Sequence, residues 1–159
     1  MRYVPIKING MQLCEIFTPE AVASMTAAEK RQYSLENAMY PTEVVVTSET
    51  YSRNAERTAD YELEDLLIVN RKAKPEFTWE LIKQEYVQRL LEFLGYTYNF
   101  KNEDGIVEPV EAEQILVTYL DFVGERTINA YLGQTIDGTL VVYDGVLYVR
   151  DFRIAFPER

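Results

Sequence analysis

Carboxylates are the most numerous side chains here that can do chemistry, and two close groups stand out: Glu62, Glu64 and Asp65, then Glu108, Glu111 and Glu113. Clustered oxygen ligands suit a hard cation. Neither group follows the ligand order of an EF-hand, and Asn102-Glu-Asp-Gly105 lacks the rest of such a loop. Both groups read as solvated acidic surface. Arg53, Arg57, Arg71 and Arg126 would make an anion site only by converging, and scattered arginines in an acidic chain more often pair with carboxylates or with an interface partner. Cys14 is the single cysteine and would need a nearby base to act as a nucleophile, yet the chain holds no histidine. That absence excludes Ser-His-Asp and Cys-His catalysis and His-based zinc sites built from this chain. The Asp-Gly pairs at 104–105, 137–138 and 144–145 are turn punctuation and do not resemble a phosphate-binding loop. No residue is assigned as catalytic, cofactor-binding or metal-binding, and the chain is read as non-enzymatic.

The elements that position these residues belong to an ordinary folded chain. It has 159 residues, 47% of them apolar and 26% charged, enough for one domain with its own core. Twelve Tyr, seven Phe and one Trp favour pleated surfaces and protein contacts. The net charge of −10 repels nucleic-acid phosphates, and the largest basic cluster, Arg71, Lys72 and Lys74, is too small for a nucleic-acid arm. No apolar run approaches the roughly 18 residues of a membrane span, and the first residues lack the apolar core of a secretory signal, so synthesis in the cytoplasm is expected.

Asn9-Gly10 and Asp144-Gly145 mark two hairpins. Strand text fills residues 3–17 around the first, then 43–50, 61–74, 96–101, 113–122, 126–132, 139–143 and 146–156, the last four forming an expected meander. Residues 51–60 read as a polar loop. Thr18 followed by Pro19 offers a helix start, although the segment to residue 33 has weak apolar spacing. Trp79, Ile82, Tyr86, Leu90, Leu91 and Leu94 recur at helical intervals, which predicts one main amphipathic helix over residues 78–94 with Thr78 as N-cap and Gly95 just past its end. The expected fold is therefore α+β: a mostly antiparallel sheet or sandwich covered by that helix. Residues 1–159 form a single domain in this reading, with an insertion or arm at about 18–60.

The order of features then resembles a family. Ile6-Lys-Ile-Asn-Gly10, the polar Arg53-Asn-Ala-Glu-Arg57 loop, Val69-Asn-Arg-Lys-Ala-Lys74, the Phe77-Thr-Trp-Glu-Leu81 segment, Tyr119-Leu-Asp-Phe122 and the closing hairpin together look like small tail-associated structural proteins of long-tailed bacteriophages and prophages. The likeness is one of layout and covers residues 1–10 and 50–159. It implies a β-sandwich with a helix that self-assembles into rings, six-fold in the usual case, as a tube, adaptor or tail-completion component of the virion. The implied partners are further copies of itself and other tail proteins, with DNA only as passing cargo and no membrane. Arg53, Arg57, Arg126 and Trp79 are the expected interface residues, although Trp79 by itself reads more readily as a core anchor than as a ligand platform. An acidic inhibitor or immunity-type protein facing a basic partner is the alternative reading, and an enzyme using carboxylates alone ranks last.

Overall fold

The computed structural model describes residues 5–53, 67–96, 105 and 113–159. The described elements run β1 (Lys7–Ile8), β2 (Met11–Gln12), α1 (Leu13–Phe17), α2 (Pro19–Val22), α3 (Ala27–Glu36), β3 (Glu43–Arg53), β4 (Leu67–Lys83), α4 (Gln84–Phe93), β5 (Ile115–Asp121), β6 (Gly124–Ala130), β7 (Asp137–Tyr143) and β8 (Val146–Ala155). They build two antiparallel sheets, ordered β2-β1-β5-β6 and β3-β4-β8-β7. A strand-rich fold of two antiparallel sheets with few helices is what the residues form. The expected meander is corrected on one point: β5–β6 and β7–β8 are hairpins of different sheets.

Both hairpin signals hold. Asn9 and Gly10 have φ of 51° and 82°, and Asp144 and Gly145 have φ of 50° and 77°. Two successive positive φ values are the turn geometry that matches strand twist, and Asn-Gly and Asp-Gly adopt it at low cost. The strand after the first turn ends at Gln12, where α1 begins, so the expected second strand to residue 17 is a helix beyond that point.

The main helix is corrected at its start. Residues 78–83 lie in β4, and Lys83, not Thr78, caps α4. The reason is a fault in the strand rhythm. Phe77 and Trp79 are buried at a spacing of two, and the next buried apolar residue is Ile82, three further on. Opposite them, Ile154 and Phe152 are followed by Val149, with Asp151 at φ 54° in between. Both strands swap faces at this point. The resulting 79–82–86 spacing imitates a helical stripe although its first members are pleated. The far end reads as expected: Gly95 has φ 72°, its N–H donates to the Glu92 carbonyl at 3.1 Å, and the Tyr96 N–H donates to the Leu91 carbonyl at 2.9 Å. That pair of bonds is a Schellman ending.

A single covering helix is not observed, because α3 matches α4 at ten residues each. Thr26 Oγ1 accepts from the Glu29 N–H at 3.3 Å and fixes the start of α3. Residues 18–60, expected as an insertion or arm, supply α2, α3 and β3. Within them Val22 and Met39 are buried, and Trp79 Nε1–H donates to the Met39 carbonyl at 2.9 Å. The expected strand at 96–101, the turn at 102–105 and most of the loop at 51–60 fall outside the described residues, apart from Tyr96, Gly105 and the β3 end Tyr51–Arg53.

One apolar core lies between the sheets and under α4. Trp79 sits at its centre, with ring centroids 5.6 Å from Phe152 and 6.5 Å from Phe77, while Phe17 stacks on Tyr86 at 5.3 Å. Residues 156–159 seam the two sheets. The Phe156 and Glu158 N–H groups donate to the Pro75 and Ala73 carbonyls of β4, and on the other side Tyr131 N–H donates to Pro157 and Arg159 N–H to Asn129, all at 2.9 Å.

Candidate functional site

β7 is the outer strand of its sheet, and it has little of the protein on either face. Leu140 and Val142 are each 65% exposed, and Tyr143, Val146 and Leu147 are exposed with them. Cross-strand pairing sets Val142 opposite Leu147 and Tyr143 opposite Val146. Side chains alternate faces along a strand, so Leu140, Val142 and Leu147 share one face, while Tyr143 and Val146 take the other with Tyr148. The Tyr143 and Tyr148 rings lie 6.0 Å apart. β4 accompanies β8 only as far as the Lys83–Tyr148 pair, so the hairpin end beyond it stands clear of the sheet. At its base, Gly138 makes room for the bulge in β7, because a Cβ there would come 2.5 Å from Val149 Cγ1.

An edge strand carries a row of backbone groups without a neighbour, and proteins usually blunt such edges with charge, proline or a bulge. Between Thr139 and Tyr143 there is no charged residue and no proline. The opposite edge of the same sheet, β3, is eleven residues long and, among the described residues, pairs only with β4. A second apolar projection is the β5–β6 turn, where Phe122 is 75% and Val123 91% exposed.

The residues singled out from sequence fall elsewhere. Trp79 is 1% exposed, which corrects its expected place at an interface: it anchors the core and lies out of reach of a neighbour. Arg126, on β6, pairs with Asp121 at 3.5 Å and Glu158 at 3.3 Å. Glu158 Oε1 also accepts the Ala73 N–H at 2.8 Å, so Arg126 braces the seam between the sheets. Tyr119 joins the same network, donating its hydroxyl to Asp121 Oδ2 at 2.8 Å. Burial and then that hydrogen bond hold its phenol above the ordinary range. Arg53 ends β3 opposite Leu67, and Arg57 lies outside the described residues. Cys14 is buried in α1.

Of the acidic groups, only Glu113 is within the described residues. Among the described residues no three His, Cys, Asp or Glu side chains gather to hold a metal, and no helix is long and apolar enough to cross a membrane. The hairpin surface did have a signal in the sequence: Leu140-Val-Val-Tyr143 puts apolar side chains on consecutive positions, so both faces of the strand are apolar.

No family model matches the chain, and no curated protein does. Among solved structures it is similar to a chain of the "Tail of empty GTA particle computed with helical refinement, C6 symmetry", at 17% identity over 74% of each chain and a TM-score of 0.38. A TM-score of that size is too loose to carry an argument about function.

Proposed function

We propose that this chain is a non-enzymatic structural subunit that assembles with copies of itself, as a tube, adaptor or completion component of a bacteriophage tail. The observation that supports this is the β7–β8 hairpin, an edge strand with exposed apolar side chains on both faces. A surface of this kind favours burial against another chain and offers backbone groups for strand pairing. The layout resemblance to small tail proteins points the same way. In this role the whole chain acts as one unit in the virion tail, with further copies arranged in rings, six-fold in the expected case, and other tail proteins as partners. Arg53, which ends β3, and Arg57 are proposed contacts with a further copy. The net charge of −10 suits a component past which DNA slides without adhering.

The test is light scattering after size exclusion over a range of concentrations, with negative-stain imaging of the same fractions. Rings or tubes are expected from the native chain, and a monomer from the Leu140→Asp/Val142→Lys variant. A native chain that stays monomeric throughout would overturn the reading.

A further inference from the structure

The β1–β2 turn carries a side chain with chemistry of its own. Asn9 Oδ1 accepts the Leu116 N–H at 2.9 Å, and the Asn9 N–H donates to the Leu116 carbonyl at 2.7 Å. These two bonds extend a short seam, because among the described residues β1 otherwise pairs with β5 only at Lys7–Thr118 and Ile8–Val117. Gly10 follows Asn9, and both are exposed. A Cβ built on Gly10 would meet nothing within 4 Å, so the turn is open to water. No other asparagine in the sequence precedes a glycine.

A backbone nitrogen can attack the carboxamide of the asparagine before it. The Gly10 nitrogen loses its proton and bonds to Asn9 Cγ, and the Cγ–Nδ2 bond breaks to release ammonia. Water then opens the cyclic imide at either carbonyl, giving aspartate or isoaspartate. Glycine favours the attack because it has no Cβ to crowd its nitrogen and leaves the backbone free to turn. The fold opposes it. Ring closure needs Asn9 Cβ eclipsed with the Gly10 nitrogen about the Cα–C bond. The Asn9 φ of 51° is that of the left-handed region, where ψ is about +47° and Cβ stands nearly opposite that nitrogen. The bond from the Leu116 N–H further fixes the carboxamide.

We propose that Asn9 is a latent deamidation site: it reacts when the β1–β2 turn lifts from β5, and the isoaspartyl product keeps that edge from closing again. An aspartate at this position still accepts from the Leu116 N–H. Isoaspartate instead routes the backbone through the side chain and adds a carbon to a two-residue turn. The Ile8–Met11 pairing and the register of β1 on β5 then no longer match. Ile6 and Ile8, both buried, lie on the segment this would release. Nothing in this chemistry depends on self-assembly.

Peptide mass mapping of the native chain, kept in mildly alkaline buffer with and without denaturant, reads the loss of the Asn9 amide. The folded chain should lose it at least about tenfold more slowly than the denatured chain, because local opening is a minor population. Urea below the unfolding transition should raise Asn9 loss and hydrogen exchange at the Leu116 N–H in parallel, which ties the reaction to this edge. Chains isolated with isoaspartate at this position should exchange the Leu116 N–H faster than native ones, whereas Asn9→Asp should keep it protected. Equal rates in folded and denatured chains would overturn the gate, and an Asn9 that stays inert in denaturant would overturn the chemistry. Leu116 exchange that rises while Asn9 loss stays flat would also sink the proposal, as would isoaspartyl chains with native protection.

Discussion

β5 and β7 are seven-residue strands with similar text, Ile115-Leu-Val-Thr-Tyr-Leu-Asp121 against Asp137-Gly-Thr-Leu-Val-Val-Tyr143, and they meet water in opposite ways. Ile115, Val117 and Tyr119 alternate into the core, flanked by β1 and β6. No residue of β7 is buried, and among the described strands β8 is its only neighbour. The difference comes from what lies above each strand. β5 faces the second sheet across the core, whereas the β7–β8 hairpin runs on past the end of β4. Apolar strand text commits a segment to being covered; the cover is the protein itself for β5 and, in the proposed assembly, another chain for β7.

The contrast predicts how variants divide, beginning with the largest effect on stability. Trp79→Ala removes the central ring of the core and leaves the Met39 carbonyl without its donor, and denaturant unfolding should show a loss of about 3–5 kcal/mol. A loss below that of a surface substitution would contradict its anchoring role. Arg126→Ala leaves Asp121, whose side chain is 7% exposed, without a cation, and it loosens Glu158 at the seam. It should cost about 1–2 kcal/mol while leaving assembly size unchanged when measured well below its melting point.

Tyr119 adds a pH dependence. Its folded phenol is held above the ordinary value, so the folded state keeps its proton where the unfolded chain gives it up. Its contribution is intact below about pH 10 and fades as pH rises beyond that. Tyr119→Phe should accordingly make the alkaline decline in melting temperature shallower, and an unchanged decline would sink the assignment. The smallest effect falls on the exposed strand. Leu140→Asp/Val142→Lys should change unfolding stability by only about 0.5 kcal/mol, although it abolishes assembly. A large stability loss would mean that β7 is needed for the fold of the single chain.

Several parts of this arrangement are legible in the sequence. Asn9-Gly10 and Asp144-Gly145 fix two turns because they tolerate positive φ, and Gly95 stops α4 for the same reason. The apolar runs place β3, β5, β6, β7 and β8 to within a few residues. The start of α4 is misread because the face swap near Glu80 and Asp151 turns a spacing of two into three. The start of α3 goes unread: a helix start is expected at Thr18, whereas Thr26 Oγ1 accepts the Glu29 N–H that begins α3.

Local chemistry by itself therefore determined the turns, the strand-rich class and the absence of any histidine-based site, since these depend on residue type and near neighbours. Tertiary structure alone decided which apolar strand is buried, that Trp79 lies away from any interface, and that Arg126 closes a seam with Asp121 and Glu158. Each of these depends on contacts between residues distant along the chain, and pairing across sheets leaves no periodic trace in the sequence.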